Sequence, residues 1–217
     1  MGYSRAGFEV VGVDCEPQPR YPFAFLEADA LDLMRGLIAG SSVLGYYLSD
    51  FDAIHASPPC QAYSSLRSIP RFSGKEHPAL VDDTRQLLAA AGLPWVMENV
   101  PGSNLDTHVI LCGSMFGLGA YCDGQFHQLR RHRLFETSFY FLMPLRCHHV
   151  GRPVGVYGNG GSHRRIKDKP GINGFTGTAA ERRSAMGIDW MGRYGLSQAV
   201  PPAYCEFIGK QLLAAIS

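Results

Sequence analysis

The chain has 217 residues, of which 46% are hydrophobic and 18% charged, and a formal net charge of +1; that is enough for one well-buried domain and a small appendage. No apolar run approaches the roughly 20 residues that span a bilayer, and no signal peptide opens the sequence, so a cytoplasmic, membrane-free protein is expected. The six cysteines (Cys15, Cys60, Cys112, Cys122, Cys147 and Cys205) contain no C-x-x-C pair, which argues against a disulfide scaffold and a zinc ribbon and for reduced, mostly buried thiols.

In chain order, residues 8–13 form a β-branched run ending in Asp14, after which Pro17, Pro19 and Pro22 stop regular structure. A second strand, Phe23 to Ala28, leads into Asp29, and Leu31, Met34, Leu37 and Ile38 then repeat at helical spacing. Phe51 to Ala56 reads as a strand. Pro78 suits a first helical turn, with Leu80, Thr84, Leu87 and Leu88 on one face before Gly92 and Pro94 end the helix. Trp95 to Val100, Val109 to Phe116 and His132 to Phe141 read as further strands. Residues 144–180, rich in glycine and proline, form a loop-rich insert. Glu181 to Met186 resumes helical character, and Pro201-Pro202 opens a final helix with Phe207, Ile208, Leu212 and Ala215 on its apolar face.

Strands alternating with helical patterns predict a doubly wound, mostly parallel α/β sheet, in which ligands sit at the carboxyl ends of the strands. Asp14, Asp29, Cys60 and Glu98 all fall at or near such ends. An acid there is also commonly a turn or cap residue. In Ser57-Pro58-Pro59-Cys60-Gln61, the two prolines fix φ and remove two donors, presenting Cys60 on a stiff turn. That presentation suits a nucleophile, although Pro-Pro-Cys alone is equally a turn with an incidental cysteine. The net charge does not announce a nucleic-acid partner, but the clusters Arg130 to Arg133 and His163 to Lys169 permit one. Cys147-His148-His149 with Cys112 or Cys122 fits no zinc spacing, so no metal is expected.

Ser57-Pro58-Pro59-Cys60-Gln61-Ala62-Tyr63-Ser64, then Glu98-Asn99-Val100, then Arg131-His132-Arg133-Leu134-Phe135, in that order, resemble the DNA cytosine-5 methyltransferases. Gln198-Ala199-Val200-Pro201-Pro202 is similar to that family's last motif. The resemblance runs from about Ala6 to the C-terminus and implies a Rossmann-like methyltransferase sheet in a catalytic domain over residues 1–143. The 144–180 insert then resembles a small target-recognition region, and 181–217 returns to the catalytic domain. It further implies S-adenosylmethionine as cofactor, double-stranded DNA as partner, a monomer, and a bacterial or phage-infected host cell with a restriction-modification setting.

Cytosine C5 is a poor nucleophile, so a thiolate must first add to C6; the resemblance gives that role to Cys60. Glu98 is implied to carry a proton at N3, and Arg131 and Arg133 to hold the cytosine edge and nearby phosphate. The cofactor would meet Asp14 at its ribose, Asp29 at its adenine amino group, and Pro59 and Gln198. Gln61, Ser64, Asn99, Arg164 and Arg165 are implied to contact a substrate whose target base is flipped out of the duplex.

Two departures qualify the match. The family opens with an Asp-Leu-Phe strand and a Phe-x-Gly-x-Gly loop, whereas Met1 to Phe8 resembles the end of the first helix, so the first strand and glycine loop are expected to be missing. Either the reading frame starts at an internal methionine, the preferred explanation because the catalytic motifs are intact, or this is a shortened member. The alternatives to methyl transfer are a non-catalytic DNA-binding relic and an enzyme placing another one-carbon group on C5. Gln198 also stands where the family usually has Asn.

Overall fold

The computed structural model of the chain describes residues 1–59, 80–143, 146–157 and 175–216. Its helices are α1 (Gly2–Ala6), α2 (Ala30–Ile38), α3 (Val81–Ala91), α4 (Ala179–Met186), α5 (Arg193–Gln198) and α6 (Pro202–Ile216). Its strands are β1 (Val11–Asp14), β2 (Ala24–Glu27), β3 (Ile54–Ala56), β4 (Trp95–Asn99), β5 (His108–Leu111), β6 (Gly119–Cys122), β7 (Gln125–Gln128), β8 (Arg133–Thr137), β9 (Val154–Gly155) and β10 (Phe175–Thr176). This is a mixed α/β fold. No helix among the described residues is long and apolar enough to cross a membrane.

The chain divides into two compact units. One comprises Met1–Phe8, Leu111–His132 and Met143–Lys210, the other Glu9–Ile110, Arg133–Leu142 and Gln211–Ser217. These units interleave along the chain, and residues 143–210 fall in one of them.

In the second unit, β1 and β2 pair in parallel as a two-stranded sheet. A separate four-stranded sheet has the order β3-β4-β8-β5, with β3 and β4 parallel but β4 and β8 antiparallel. Among the described residues this unit therefore carries a parallel pair and a four-stranded sheet of mixed direction, where the sequence led to one mostly parallel sheet lacking its first strand. Parallel pairing usually needs a crossover helix, and the chain between β4 and β8 carries strands and turns instead. Among the described residues, β1 pairs only with β2 and β3 only with β4.

Strand alternation fixes the two faces of the larger sheet. Met97 lies opposite Glu136 and Asn99 opposite Leu134, while Glu98 lies opposite Phe135. Met97 and Leu134 pack with Val81 and Leu88 of α3 and with Leu105, sealed by Ile54, Ala56 and Trp95. Arg85 of α3 reaches this sheet and grips the buried Glu136 with two hydrogen bonds of 2.8 and 2.9 Å; Asp82 and the Asn104 carbonyl accept two more of its donors.

The first unit is built around a β6–β7 hairpin. Its loop is Asp123-Gly124, both with positive φ (51° and 77°), the geometry of a two-residue hairpin turn that matches strand twist. Ala120, Cys122, Leu129, Val154, Val156, Ala185, Met186, Ile188 and Leu196 form its core. β9 and β10 pair in parallel within the segment expected to be loop-rich. Helix α4 starts with a capping box in which Thr178 and Glu181 satisfy each other's backbone N–H groups at 3.2 and 2.7 Å. The expected strands are shortened: Phe51 to Ala56 becomes Ile54–Ala56, Val109 to Phe116 becomes β5 followed by a 3-10 turn over Gly113–Phe116, and His132 to Phe141 becomes Arg133–Thr137.

Candidate active site

The buried end of β4 brings together the residues that carry the strongest chemistry. Glu98 faces Phe135 in register, which places Arg133, two residues earlier on β8, diagonally across the same sheet face. Their side chains form an ion pair at 2.8 Å, with only 8% and 14% of their surfaces exposed. A carboxylate and a guanidinium so deprived of water hold each other firmly, because either left alone would carry most of its desolvation cost.

Asn99 points to the opposite face and is 1% exposed. Its amide donates a 3.0 Å hydrogen bond to the Pro58 carbonyl, while its oxygen accepts from the Val100 N–H at 2.8 Å. This one side chain therefore fastens the end of β4 to the buried residue that stands two positions before Cys60 in the chain. It was expected at substrate; the structure gives it a positioning contact. Just upstream, burial pushes the His55 imidazole down to about 4, and its Nε2 lies 3.1 Å from the Ser57 hydroxyl. His55 is therefore neutral at physiological pH, a feature of β3 that the sequence did not signal.

Cys60, Gln61, Ser64, Arg164 and Arg165, all expected at the site, lie outside the described residues. Pro59 is exposed. Asp14, at the carboxyl end of β1, accepts from the Glu16 N–H at 2.9 Å and from the Gln18 amide at 3.2 Å. Asp29 caps α2, accepting from the N–H groups of Leu31 and Asp32 at 2.9 and 3.0 Å. Both acids thus fill local turn and cap roles. A carboxylate has about four lone-pair sites, so neither role exhausts its capacity to accept from a ligand.

Arg131, expected to hold substrate, is instead a clamp within the other unit. It is 6% exposed, and its guanidinium donates to the carbonyls of Ala199 (3.0 Å), Val156 (3.2 Å) and Ser197 (2.6 Å). Its own carbonyl accepts from the Tyr204 hydroxyl at 2.7 Å. Two of these carbonyls, those of Ser197 and Ala199, flank Gln198, the exposed last residue of α5, so the start of the Gln198 to Pro202 stretch is shaped by Arg131.

A further cluster of possible metal ligands forms although no zinc spacing was visible in the sequence. The ligand atoms of Cys112, His132, Cys147 and His149 all lie within 4.8 Å of one another. Burial pushes the Cys112 thiol up, but hydrogen bonds with His132, Ser114 and His149 outweigh it and bring it down to about 6. His132 is correspondingly pushed up by Cys112. Spacing was the wrong test, because the four residues come from separate turns and segments rather than from paired knuckles. The surface cleft lined by Arg35, Asp83, Gln86, Leu87 and Ala90 contains none of the candidate residues. Comparison with protein-family models and with curated proteins returns no match to this chain.

Proposed function

We propose that the chain is an S-adenosylmethionine-dependent DNA cytosine-5 methyltransferase of Rossmann-like type, acting on a flipped cytosine in double-stranded DNA. The observation that carries this reading is the Glu98–Arg133 ion pair at the end of β4, adjoining Asn99, which holds the backbone at Pro58. An acid, a guanidinium and a cysteine following Pro58-Pro59 in the chain are the parts that addition to a pyrimidine C6 requires.

In this reaction the Cys60 thiolate forms a bond to C6 while Glu98, once parted from Arg133 and protonated from solvent, passes that proton to N3, so that negative charge does not build up in the ring. Arg133 orients Glu98 and screens it until the base enters, and the pair has to part for the proton to move. Asp14 and Asp29, acids at or just beyond the ends of the adjacent parallel strands β1 and β2, are chemically suited to accept from ribose hydroxyls and an adenine amino group. Bound there, S-adenosylmethionine supplies an electrophilic methyl group for C5. Loss of the C5 proton to a base then lets Cys60 leave by elimination, restoring the aromatic ring.

The test is methyl transfer from labelled S-adenosylmethionine to duplex DNA. The wild type is expected to label DNA at least about 10³-fold above Cys60→Ser, the range lost with a covalent nucleophile. Equal labelling by the two proteins overturns the proposal.

A further inference from the structure

We propose that Cys112, His132, Cys147 and His149 form a structural zinc site in the first unit, closed by four protein ligands. This does not depend on the methyl-transfer reading.

Distance and chemistry agree. Cys112 Sγ lies 3.3 Å from His149 Nε2, and Cys147 Sγ lies 3.8 Å from His132 Nε2. A tetrahedral ion with bonds of about 2.3 Å to sulfur and about 2.0–2.1 Å to nitrogen separates such a pair by about 3.6 Å. The two observed distances bracket that value. The His132 and His149 rings stand nearly perpendicular, at 72° with centroids 5.1 Å apart, so two ring nitrogens approach a common point without stacking. Two thiolates with two imidazoles in tetrahedral array select zinc among the common biological cations. Four protein ligands leave no open position, which marks a structural rather than a catalytic ion.

The surroundings hold the ligands in place before any ion arrives. Cys112 opens the 3-10 turn and is buried. The next residue, Gly113, lies so close to the Leu129 carbonyl that any Cβ there would overlap it; only glycine allows that approach. Ser114 donates its hydroxyl to Cys112 Sγ at 3.3 Å, an outer contact of the kind that orients metal ligands. His149 is bracketed by Gln128, whose amide donates to the His148 carbonyl at 3.2 Å and accepts from the Val150 N–H at 2.9 Å. Arg130 and His127 fasten the next carbonyls, those of Gly151 and Arg152. An exposed segment with little apolar burial is thus pinned on both sides of one ligand. Such pinning of a weakly packed segment is explained if the segment delivers a ligand.

An ion here would cross-link the turn after β5, the residue preceding Arg133 in the chain, and the 146–150 segment. The experiment is metal analysis of protein purified without chelator, together with cobalt(II) replacement. Zinc is expected at one equivalent per chain, and cobalt is expected to give a thiolate charge-transfer band with the intense visible bands of tetrahedral coordination. His149→Ala and Cys147→Ser should lower bound zinc at least tenfold, and Cys15→Ser, at an exposed cysteine outside the cluster, should leave it unchanged. If the variants do not fold, the wild-type cobalt spectrum decides. Weak octahedral bands, zinc uptake by the wild type no greater than by a Cys112→Ser/Cys147→Ser double variant, or a Cys112–Cys147 disulfide in protein kept under reductant would each overturn the proposal.

Discussion

Arg131 and Arg133 are two residues apart, but their surroundings differ in kind. Arg131 spends its donors on three backbone carbonyls, which are neutral and cannot change charge. Arg133 faces a buried carboxylate, which can take or release a proton and can part from its partner. A guanidinium held by carbonyls is a fixed structural clamp, whereas one held by a titratable acid loses its partner when that acid takes up a proton. One basic cluster in the sequence therefore contains a residue held by carbonyls and a residue held by an acid.

Variants at four positions break or sharpen this contrast, from the largest expected effect to the smallest. Glu98→Gln keeps the shape of the acid but removes its proton chemistry, and transfer should fall about 10²- to 10⁴-fold with the fold intact by circular dichroism. Arg131→Ala should cost about 3 kcal/mol in denaturant unfolding, since it strands three carbonyls and empties a buried volume. Arg131→Lys should recover little of this, because an ammonium cannot reproduce the planar fork. If Arg131→Ala instead lowered transfer while leaving stability unchanged, the clamp assignment would be wrong.

Asn99→Ala should cost about 1–2 kcal/mol for the buried Pro58 carbonyl it leaves unpaired, and should lower the turnover rate through the Cys60 approach. Asp29→Ala, which removes only a helix cap, should cost about 1 kcal/mol; any larger loss of cofactor affinity would speak for the ligand role of that carboxylate. Stability should also depend on pH through His55. Its folded value is near 4 and its ordinary value 6.5, so between those limits the unfolded chain binds the extra proton. Stability should therefore be fully present above about pH 6.5, decline by about 1–3 kcal/mol as pH falls to 4, and level off below that. His55→Gln should flatten this slope in unfolding titrations.

Sequence patterning captured β2, α2, β4 and the final helix because their apolar spacing and flanking breakers act locally. It also captured Glu98 and Asp29 at strand ends. Sheet direction was not legible: that β8 runs antiparallel to β4 depends on the path of the intervening chain, to which residue spacing is blind. The β6–β7 hairpin had a signal in Asp123-Gly124, flanked by Tyr121 and Phe126, the dipeptide favoured where two successive residues need positive φ. Arg131 could not be separated from Arg133, since its role depends on carbonyls at residues 156, 197 and 199, far along the chain. The cysteine-histidine cluster was hidden for the same reason, as its ligands meet only once the turn at Gly113 and the clamp from Gln128 have formed.

The most direct measurement of the central claim is covalent capture by duplex DNA carrying 5-fluorocytosine, in the presence of S-adenosylmethionine. Once the thiolate has added to C6 and C5 is methylated, fluorine cannot leave as a proton does, so elimination stalls and the Cys60–C6 bond persists. A complex that survives denaturing electrophoresis, formed by the wild type and absent from Cys60→Ser, is the predicted result. Failure of the wild type to form that complex under conditions where it binds the duplex would contradict the account.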